Sequence, residues 1–261
     1  VAAGPLANFL LAILIFTFIF MFAGKDMTPA VIEEVQANSP AFVSGLKAND
    51  QIISVNGKKI DSILEVSTFI STSSSKEIQV KVLRNDEIKS FSVVPKVIST
   101  KDSLGNNVNK RMIGVRLSAP NKNFNYEKLS PSKAIFFSLK EVWFVTSTTL
   151  QYIKNIFVGS ADPDQLGGPI RIAKVTGQVA EHGVLPFLSI MAYISISLGL
   201  INLFPIPMLD GGHLAFYAVE KILGRPLKQK TQEGFFRIGL FLLFSLMFFA
   251  TFNDLKDIGI F

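Results

Sequence analysis

The groups best suited to chemistry lie in one stretch, Asn202-Leu203-Phe204-Pro205-Ile206-Pro207-Met208-Leu209-Asp210-Gly211-Gly212-His213. Residues 183–209 carry no charge, and the Asp210 carboxylate follows directly. Two prolines one residue apart cannot continue a regular helix. Each removes a backbone donor and disfavours helix at the residue before it. Backbone opened inside an apolar segment is tolerated only against protein or a water-filled cavity. A cavity edged by free carbonyls of Pro205 and Pro207, the Asn202 carboxamide and the Asp210 carboxylate is therefore expected. Gly211 and Gly212 allow the chain to turn or to approach another backbone. An ionisable group beside a broken intramembrane helix points to a functional site, and a cation is the natural partner of a carboxylate there. The simpler alternative is that Asp210 caps the helix that follows.

The elements that must hold this stretch read as membrane spans. The 261 residues are 49% apolar and only 18% charged, and the apolar residues, 24 Phe among them, fall in blocks. Residues 1–24 carry no charge. At about 1.5 Å per residue they cross a hydrocarbon core of about 30 Å. They lack the basic leader and small-residue cleavage pattern of a signal peptide. Gly4, Pro5 and Asn8 stand out near the start of this span, since small residues allow close helix packing and a membrane Asn wants a partner. A second span covers 184–210. A third, 234–253, is short unless Arg237 snorkels toward the headgroups. Residues 211–233 form a loop with Lys221, Arg225, Lys228 and Lys230 against Glu220 and Glu233. Short basic loops stay cytoplasmic, which puts Asp210 near the cytoplasmic side and residues 25–183 outside.

Residues 29–97, possibly extending to 117, read as a small α+β module. Val31, Ile32 and Val35 suggest a strand. Ser39-Pro40 opens a short helix that Gly45 ends. Residues 51–55 read as a strand before the turn pair Asn56-Gly57. Residues 64–70 fit one helical face. Residues 78–83 and 88–94 form a hairpin about Arg84-Asn85-Asp86-Glu87, 99–109 form a polar loop, and Ile113-Gly114-Val115 form a further strand. Residues 130–183 hold an amphipathic helix and a linker. Ile135, Leu139, Val142, Thr146, Leu150, Ile153 and Phe157 share one stripe, and Lys133, Lys140, Ser147, Gln151 and Lys154 share another. Trp143 and Tyr152 suit a membrane interface, and a core-packing role is the alternative. The fold class expected is a polytopic α-helical membrane protein with an inserted extracytoplasmic α+β domain. The net charge of +6 forms no basic stripe with interleaved aromatics, so nucleic acid is not an expected partner. There is no Cys and hence no thiolate chemistry.

The motif Asn-x-x-Pro-x-Pro-x-x-Asp-Gly-Gly-His resembles the second active-site motif of the site-2 protease family of intramembrane zinc metalloproteases, of the regulator-of-sigma-E protease type. Ala2-Ala3-Gly4-Pro5-Leu6-Ala7-Asn8-Phe9 resembles the start of that family's second span. Asn38-Ser39-Pro40-Ala41, Gly45-Leu46-Lys47, Asp50-Gln51-Ile52 and Val55-Asn56-Gly57 resemble its extracytoplasmic PDZ domain. Gly167-Gly168-Pro169-Ile170 and Phe252-Asn253-Asp254 also match. The resemblance implies a zinc ion, Zn2+, as cofactor, with Asp210 as its third ligand and Asn202 holding substrate backbone or the developing oxyanion. It implies a bacterial inner-membrane protease in the lipid bilayer. Its substrates would be single-span membrane proteins, such as trimmed anti-sigma factors or remnant signal peptides. The PDZ-like domain would filter substrates by size or bind peptide carboxyl termini, with Ile113, Gly114 and Val115 as candidate contacts.

In the family, two histidines and the general base come from a His-Glu-x-x-His helix. This sequence has two His, His182 and His213, and neither lies in that motif. Catalytic zinc needs about three protein ligands. The sequence begins with Val inside what resembles the second span, so a preceding segment with His-Glu-x-x-His is expected, and these residues alone are expected to be inactive. Two other readings stay open, a proteolytically inactive scaffold that works through its PDZ-like module and an ion-coupled transporter. The transporter would be supported by an inverted repeat, and none is visible.

Overall fold

The computed structural model describes residues 1–101, 107–120, 123–159 and 167–257. Among the described residues, ten strands and eight helices separate into two compact units, Val1–Met21 with Ser130–Thr146 and Asp164–Phe261, and Phe22–Leu129 with Ser147–Pro163.

The first unit is helical. It contains α1 (Ala3–Phe22), the first part of α4 (Pro131–Phe157), α5 (Pro169–Glu181), α6 (Val184–Leu203), α7 (Asp210–Leu223) and α8 (Gln229–Asp257). Helices α1, α6 and α8 are each long and apolar enough to cross a membrane. Small groups let α1 and α6 approach closely. A Cβ on Gly199 would lie 3.1 Å from the Pro5 carbonyl oxygen and 3.2 Å from Asn8 Cβ, and the Ser195 hydroxyl donates to the Asn8 carbonyl at 2.8 Å. Two polar residues of α4 outside its expected polar stripe, Ser138 and Glu141, are used here as well. The Thr17 hydroxyl donates to Ser138 at 3.1 Å, and the Tyr193 hydroxyl donates to Glu141 at 3.2 Å. The first part of α4 thus packs on spans through hydrogen bonds.

Helix α5 lies in the stretch expected as a linker. The last span holds its first turn. The buried Asp254 carboxylate on α8 accepts from the N–H groups of Gly168, Ile170 and Arg171 at 2.8, 2.9 and 3.0 Å. Those are orphan donors of a helix start, and Pro169 at the first position has no N–H to satisfy.

The second unit is α+β. Strands β2 (Ala30–Val35), β3 (Gln51–Val55), β4 (Lys58–Lys59), β5 (Ile78–Arg84), β6 (Glu87–Val93) and β9 (Val115–Ser118) form a sheet in the order β6-β5-β3-β2-β9, with β4 on β3. Helices α2 (Pro40–Ser44) and α3 (Ile63–Thr72) accompany it. Two smaller pairs join β1 (Lys25–Asp26) to β10 (Tyr126–Glu127) and β7 (Lys96–Lys101) to β8 (Asn107–Met112). Alternation shapes the core. Ile78, Val80 and Val82 of β5 are buried with Ile32, Ile52, Val55, Val66 and Val93, while Gln79 and Lys81 face outward. Each such side chain contributes about 1.5–3 kcal/mol of burial.

Turn chemistry follows the residues. Ser39 caps α2 by accepting from the Phe42 N–H at 3.2 Å, and Gly45 ends it at φ +88°. Asn85 and Asp86 both take positive φ between Arg84 and Glu87, as a two-residue hairpin requires. Two expectations are corrected. Residues 99–109 are not a loop throughout, because Lys96–Lys101 pairs with Asn107–Met112. Val97 and Met112 stay exposed there, so backbone pairing without a buried face left no apolar period to read. The strand expected at Ile113-Gly114-Val115 starts only at Val115. Gly114 bends at φ +78°, with Ser39 where a side chain would be.

A buried ion pair closes this unit. Asp50 is fully buried, and Arg84 donates to both its oxygens at 2.6 and 2.7 Å and to the Gly45 carbonyl at 2.9 Å. The Lys47 N–H takes the same carboxylate at 2.8 Å. The hydrogen bond to Asp50 raises the Arg84 pKa above its usual value. Asp50→Ala strands the guanidinium and is expected to cost about 3–5 kcal/mol. Lys89→Ala, which removes only an exposed pair with Glu87, is expected to cost less than about 1 kcal/mol. Thermal unfolding with proteolytic digestion of residues 22–129 as readout checks both; equal losses would refute the assignment.

Candidate active site

The span that leads to Asp210 opens where the prolines require it. Helix α6 ends at Leu203, two residues before Pro205, and Phe204 turns extended at φ −64°, ψ 142°. Between α6 and α7 the chain is held by short-range bonds. The Ile206 N–H donates to the Phe204 carbonyl at 2.7 Å, and the Leu209 N–H to the Ile206 carbonyl at 3.1 Å. Met208 takes φ +83°, a conformation uncommon for a non-glycine residue.

Three glycines let helices close on this opened stretch. A Cβ on Gly211 would collide with the Leu203 and Phe204 carbonyl oxygens. One on Gly212 would collide with the Ile206 carbonyl, and one on Gly239 of α8 with the Pro207 carbonyl. The residues expected along a substrate edge are thereby separated. Pro205 is exposed. Pro207 is half-buried, with its carbonyl against Gly239, and Gly211 is buried beneath the end of α6. Gly211 has a packing position here and presents no free edge.

Asp210 opens α7 rather than ending the preceding span. The N-cap is Leu209, and the Asp210 side chain accepts no hydrogen bond from the described residues. Its Oδ2 lies 2.6 Å from where a Cβ on Gly4 would be. Gly4 of α1, Asp210 and the opened stretch therefore meet, with Pro5 and Asn8 one turn along on the face that receives Gly199. Asn202, on the last turn of α6, is half-buried and its carboxamide makes no hydrogen bond among the described residues. His213 stacks among aromatic rings, 5.5 Å from Phe236 and 6.4 Å from Phe216, between α7 and α8. His182 ends α5 and faces the Gln178 carbonyl at 2.8 Å.

The donor set can be tested against zinc. The Asp210 carboxylate is half-buried and accepts from no donor among the described residues, which suits one oxygen ligand. No group of three His, Cys, Asp or Glu placed to hold a metal exists among the described residues. Among the described residues the geometry thus offers one uncommitted carboxylate, at Asp210, and no complete set of metal ligands.

Ile113, Gly114 and Val115 border a separate groove in the α+β unit, between α3 and the β8–β9 segment, of about 590 Å³. The carbonyls of Ile113 and Gly114 are taken by the N–H groups of Ala41 and Gln36, each at 2.9 Å. Val115 alone of the three belongs to the edge strand. The end of α3 is anchored beside it. Arg111 donates to the Ser73 carbonyl and, at 2.5 Å, to the Ser75 carbonyl, and Asn155 donates to the Thr72 carbonyl at 2.7 Å. Burial pushes the Arg111 guanidinium below its usual pKa. The Arg111 and Asn155 anchors gave no sequence signal beyond residue type, whereas both halves of the Asp254 cap lie in motifs that resemble the family.

Residues 1–246 match the model of a family described as peptidase family M50. A candidate zinc metalloprotease of Agrobacterium fabrum is 40% identical over 258 residues, 99% of this chain and 68% of that protein. One of Rhizobium meliloti is 39% identical over 98% of this chain and 68% of its own length. Metalloprotease MmpA of Caulobacter vibrioides is 33% identical, covering 99% and 68%. Among solved structures, the PDZ domain of an SdrC-like protein of Listeria monocytogenes is 20% identical at a TM-score of 0.27, over 34% of this chain and 87% of that one. Its counterpart from Listeria innocua gives 18% and 0.28, over 36% and 99%.

The glycine contacts predict unequal tolerance. Gly211→Ala is expected to cost about 1–3 kcal/mol by overpacking two carbonyls. Gly234→Ala, with open space around it in α8, is expected to stabilise by up to about 1 kcal/mol. Thermal unfolding in detergent compares them, and a Gly211→Ala variant as stable as Gly234→Ala would contradict the packing.

Proposed function

Since the chain belongs to peptidase family M50, we propose that it is the greater part of an intramembrane zinc metalloendopeptidase acting on single-span membrane proteins, of the trimmed anti-sigma-factor or remnant signal-peptide type. The observation that carries this reading is the carboxylate of Asp210, without a partner among the described residues, at the start of α7 just past the opened end of α6 and beside Gly4 of α1. Asp210 is one zinc ligand. The two histidine ligands and the general base would come from a His-Glu-x-x-His motif, which these 261 residues do not contain, and by themselves these residues would be inactive. When bound, zinc makes its water more acidic and polarises the scissile carbonyl.

The chain's own residues handle the substrate. A transmembrane helix must unwind before hydrolysis, and its freed backbone needs partners in a place without bulk water. The exposed stretch at Pro205 offers opened backbone as an edge for an extended segment. The Asn202 carboxamide, with both its N–H donors unspent, donates to substrate carbonyl oxygen or to the developing oxyanion. Gly4, Pro5, Asn8, Pro207 and Gly211 keep that edge and Asp210 in register by close packing. Residues 211–233 are mostly α7 and the start of α8 rather than a loop, and their Lys221, Arg225, Lys228 and Lys230 support a place in the bacterial inner membrane with Asp210 toward the cytoplasm. The α+β unit lies outside as a PDZ-like module that receives peptide carboxyl termini, with Val115 at the receiving edge.

In the full-length protein, Asp210→Ala is expected to lose zinc and cleavage of a model transmembrane substrate together. Asn202→Ala is expected to lower turnover about 10²–10³-fold, as loss of one oxyanion donor does, with zinc still bound. Metal analysis beside a cleavage assay separates them. Unchanged cleavage in Asp210→Ala, or metal loss in Asn202→Ala, would overturn the roles. The same cleavage assay on an intact full-length protein also rejects the inactive-scaffold alternative if substrate is cut.

A further inference from the structure

The groove beside α3 does not end at Val115. Its section of about 590 Å³ shares Ile63, Leu64, Ser67 and Leu117 with a second section of about 550 Å³. Together they run the length of β9, an edge strand paired only to β2 among the described residues. Such an edge offers unpaired N–H and C=O groups to an incoming strand.

Charge divides this trough sharply. The section at the start of β9 has three charged lining residues, Lys110, Arg111 and Arg116, all cationic. The section at its far end has two, Asp26 and Glu33, both anionic. Not all of these charges are available. Arg111 is spent on the carbonyls that end α3. Arg116 pairs with Glu34 at 3.5 Å, both well exposed. Asp26 accepts from the Thr28 N–H and hydroxyl. Lys110 and Glu33 make no ion pair or side-chain hydrogen bond among the described residues, and both are exposed. A free cation thus stands at one end of the trough and a free anion at the other, with an apolar floor of Ile63, Leu64 and Leu117 between.

We propose that the trough selects an extended peptide by charge polarity: an anionic carboxyl-terminal end against Lys110 and a cationic side chain upstream against Glu33. This places the peptide antiparallel to β9. The four residues of β9, at about 3.4 Å each, set the two charges about four residues apart. Polarity, more than net charge, decides entry, because a reversed peptide meets like charge at both ends. The inference rests on reading this unit as a peptide-binding module and names the class of peptide.

The test uses the whole chain in zwitterionic nanodiscs and fluorescence anisotropy with three labelled hexapeptides of equal composition in their middle residues. The first has a free carboxyl terminus and an Arg four residues upstream. The second is amidated with Gln in place of that Arg. The third carries an amidated terminal Lys and an upstream Glu. The first is expected to bind at least tenfold tighter than the third, with the second between them. Lys110→Glu is expected to weaken the first at least tenfold, Lys110→Arg to preserve it, and Lys110→Glu with Glu33→Lys to prefer the third. Equal binding of all three peptides would overturn the polarity and leave peptide binding standing. No binding of any peptide by a chain whose circular dichroism and thermal unfolding are intact would overturn the peptide-binding reading itself.

Discussion

In hydrocarbon an unpaired backbone group has no water to turn to, and the break at Pro205 and Pro207 creates several such groups at once. The helical unit is arranged around that constraint. The opened stretch makes what bonds it can within itself, from Ile206 to Phe204 and from Leu209 to Ile206. The rest is closed by bringing other backbones against it. Gly211 and Gly212 do this from α7 and Gly239 from α8, each at a distance that no side chain permits. Glycine in a helix is ordinarily unfavourable by up to about 1 kcal/mol. Here it lets protein stand where lipid would otherwise meet bare carbonyls. The carboxylate of Asp210 benefits from the same arrangement, since Gly4 leaves room for it beside α1.

Polar side chains elsewhere in this unit follow a similar logic. Ser138 and Glu141 belong to neither stripe expected of α4, and they bond to Thr17 and Tyr193 on the spans. Asp254 looks like a charge that ends the third span. It is buried, and it collects three backbone N–H groups of α5. A buried carboxylate is costly unless its lone pairs are occupied. The first turn of a helix, with its orphan donors and positive dipole end, is a suitable partner. Two short motifs far apart in the chain, Gly167-Gly168-Pro169-Ile170 and Phe252-Asn253-Asp254, thereby become one contact, and Gly168 is required because Ala250 and Asp254 stand where its side chain would be.

What could be read from the sequence follows from how local each signal is. The three apolar helices, the Ser39 cap, the Gly45 stop and the alternation of Ile78, Val80 and Val82 are each decided within a few residues, and all were legible. The break before Asp210 was legible for the same reason, because two prolines act on their immediate neighbours. The β7–β8 pair was not, since Val97 and Met112 stay exposed and no buried face imposes a period. Helix α5 was missed because its start is completed by a residue 84 positions away from Ile170. The strand expected at Ile113 starts two residues late because Ser39, itself a cap, occupies the space beside Gly114. At the candidate site, Asn202, Pro205 and Asp210 were identifiable by type, whereas the role of Gly211 depended on which carbonyls it would face.

The same distinction separates the two places proposed to receive a peptide. At the opened helix, specificity would come from geometry, since the stretch lies among packed glycines. At the trough beside β9, the backbone edge is exposed and would accept many extended sequences, as edge strands do. Selection there must come from side chains along the rim, and the rim offers one uncommitted cation and one uncommitted anion at opposite ends. Of the neighbouring cations, Arg116 faces Glu34, whereas Arg111, bonded only to neutral carbonyls at the end of α3, keeps its charge and adds to the cationic end of the trough.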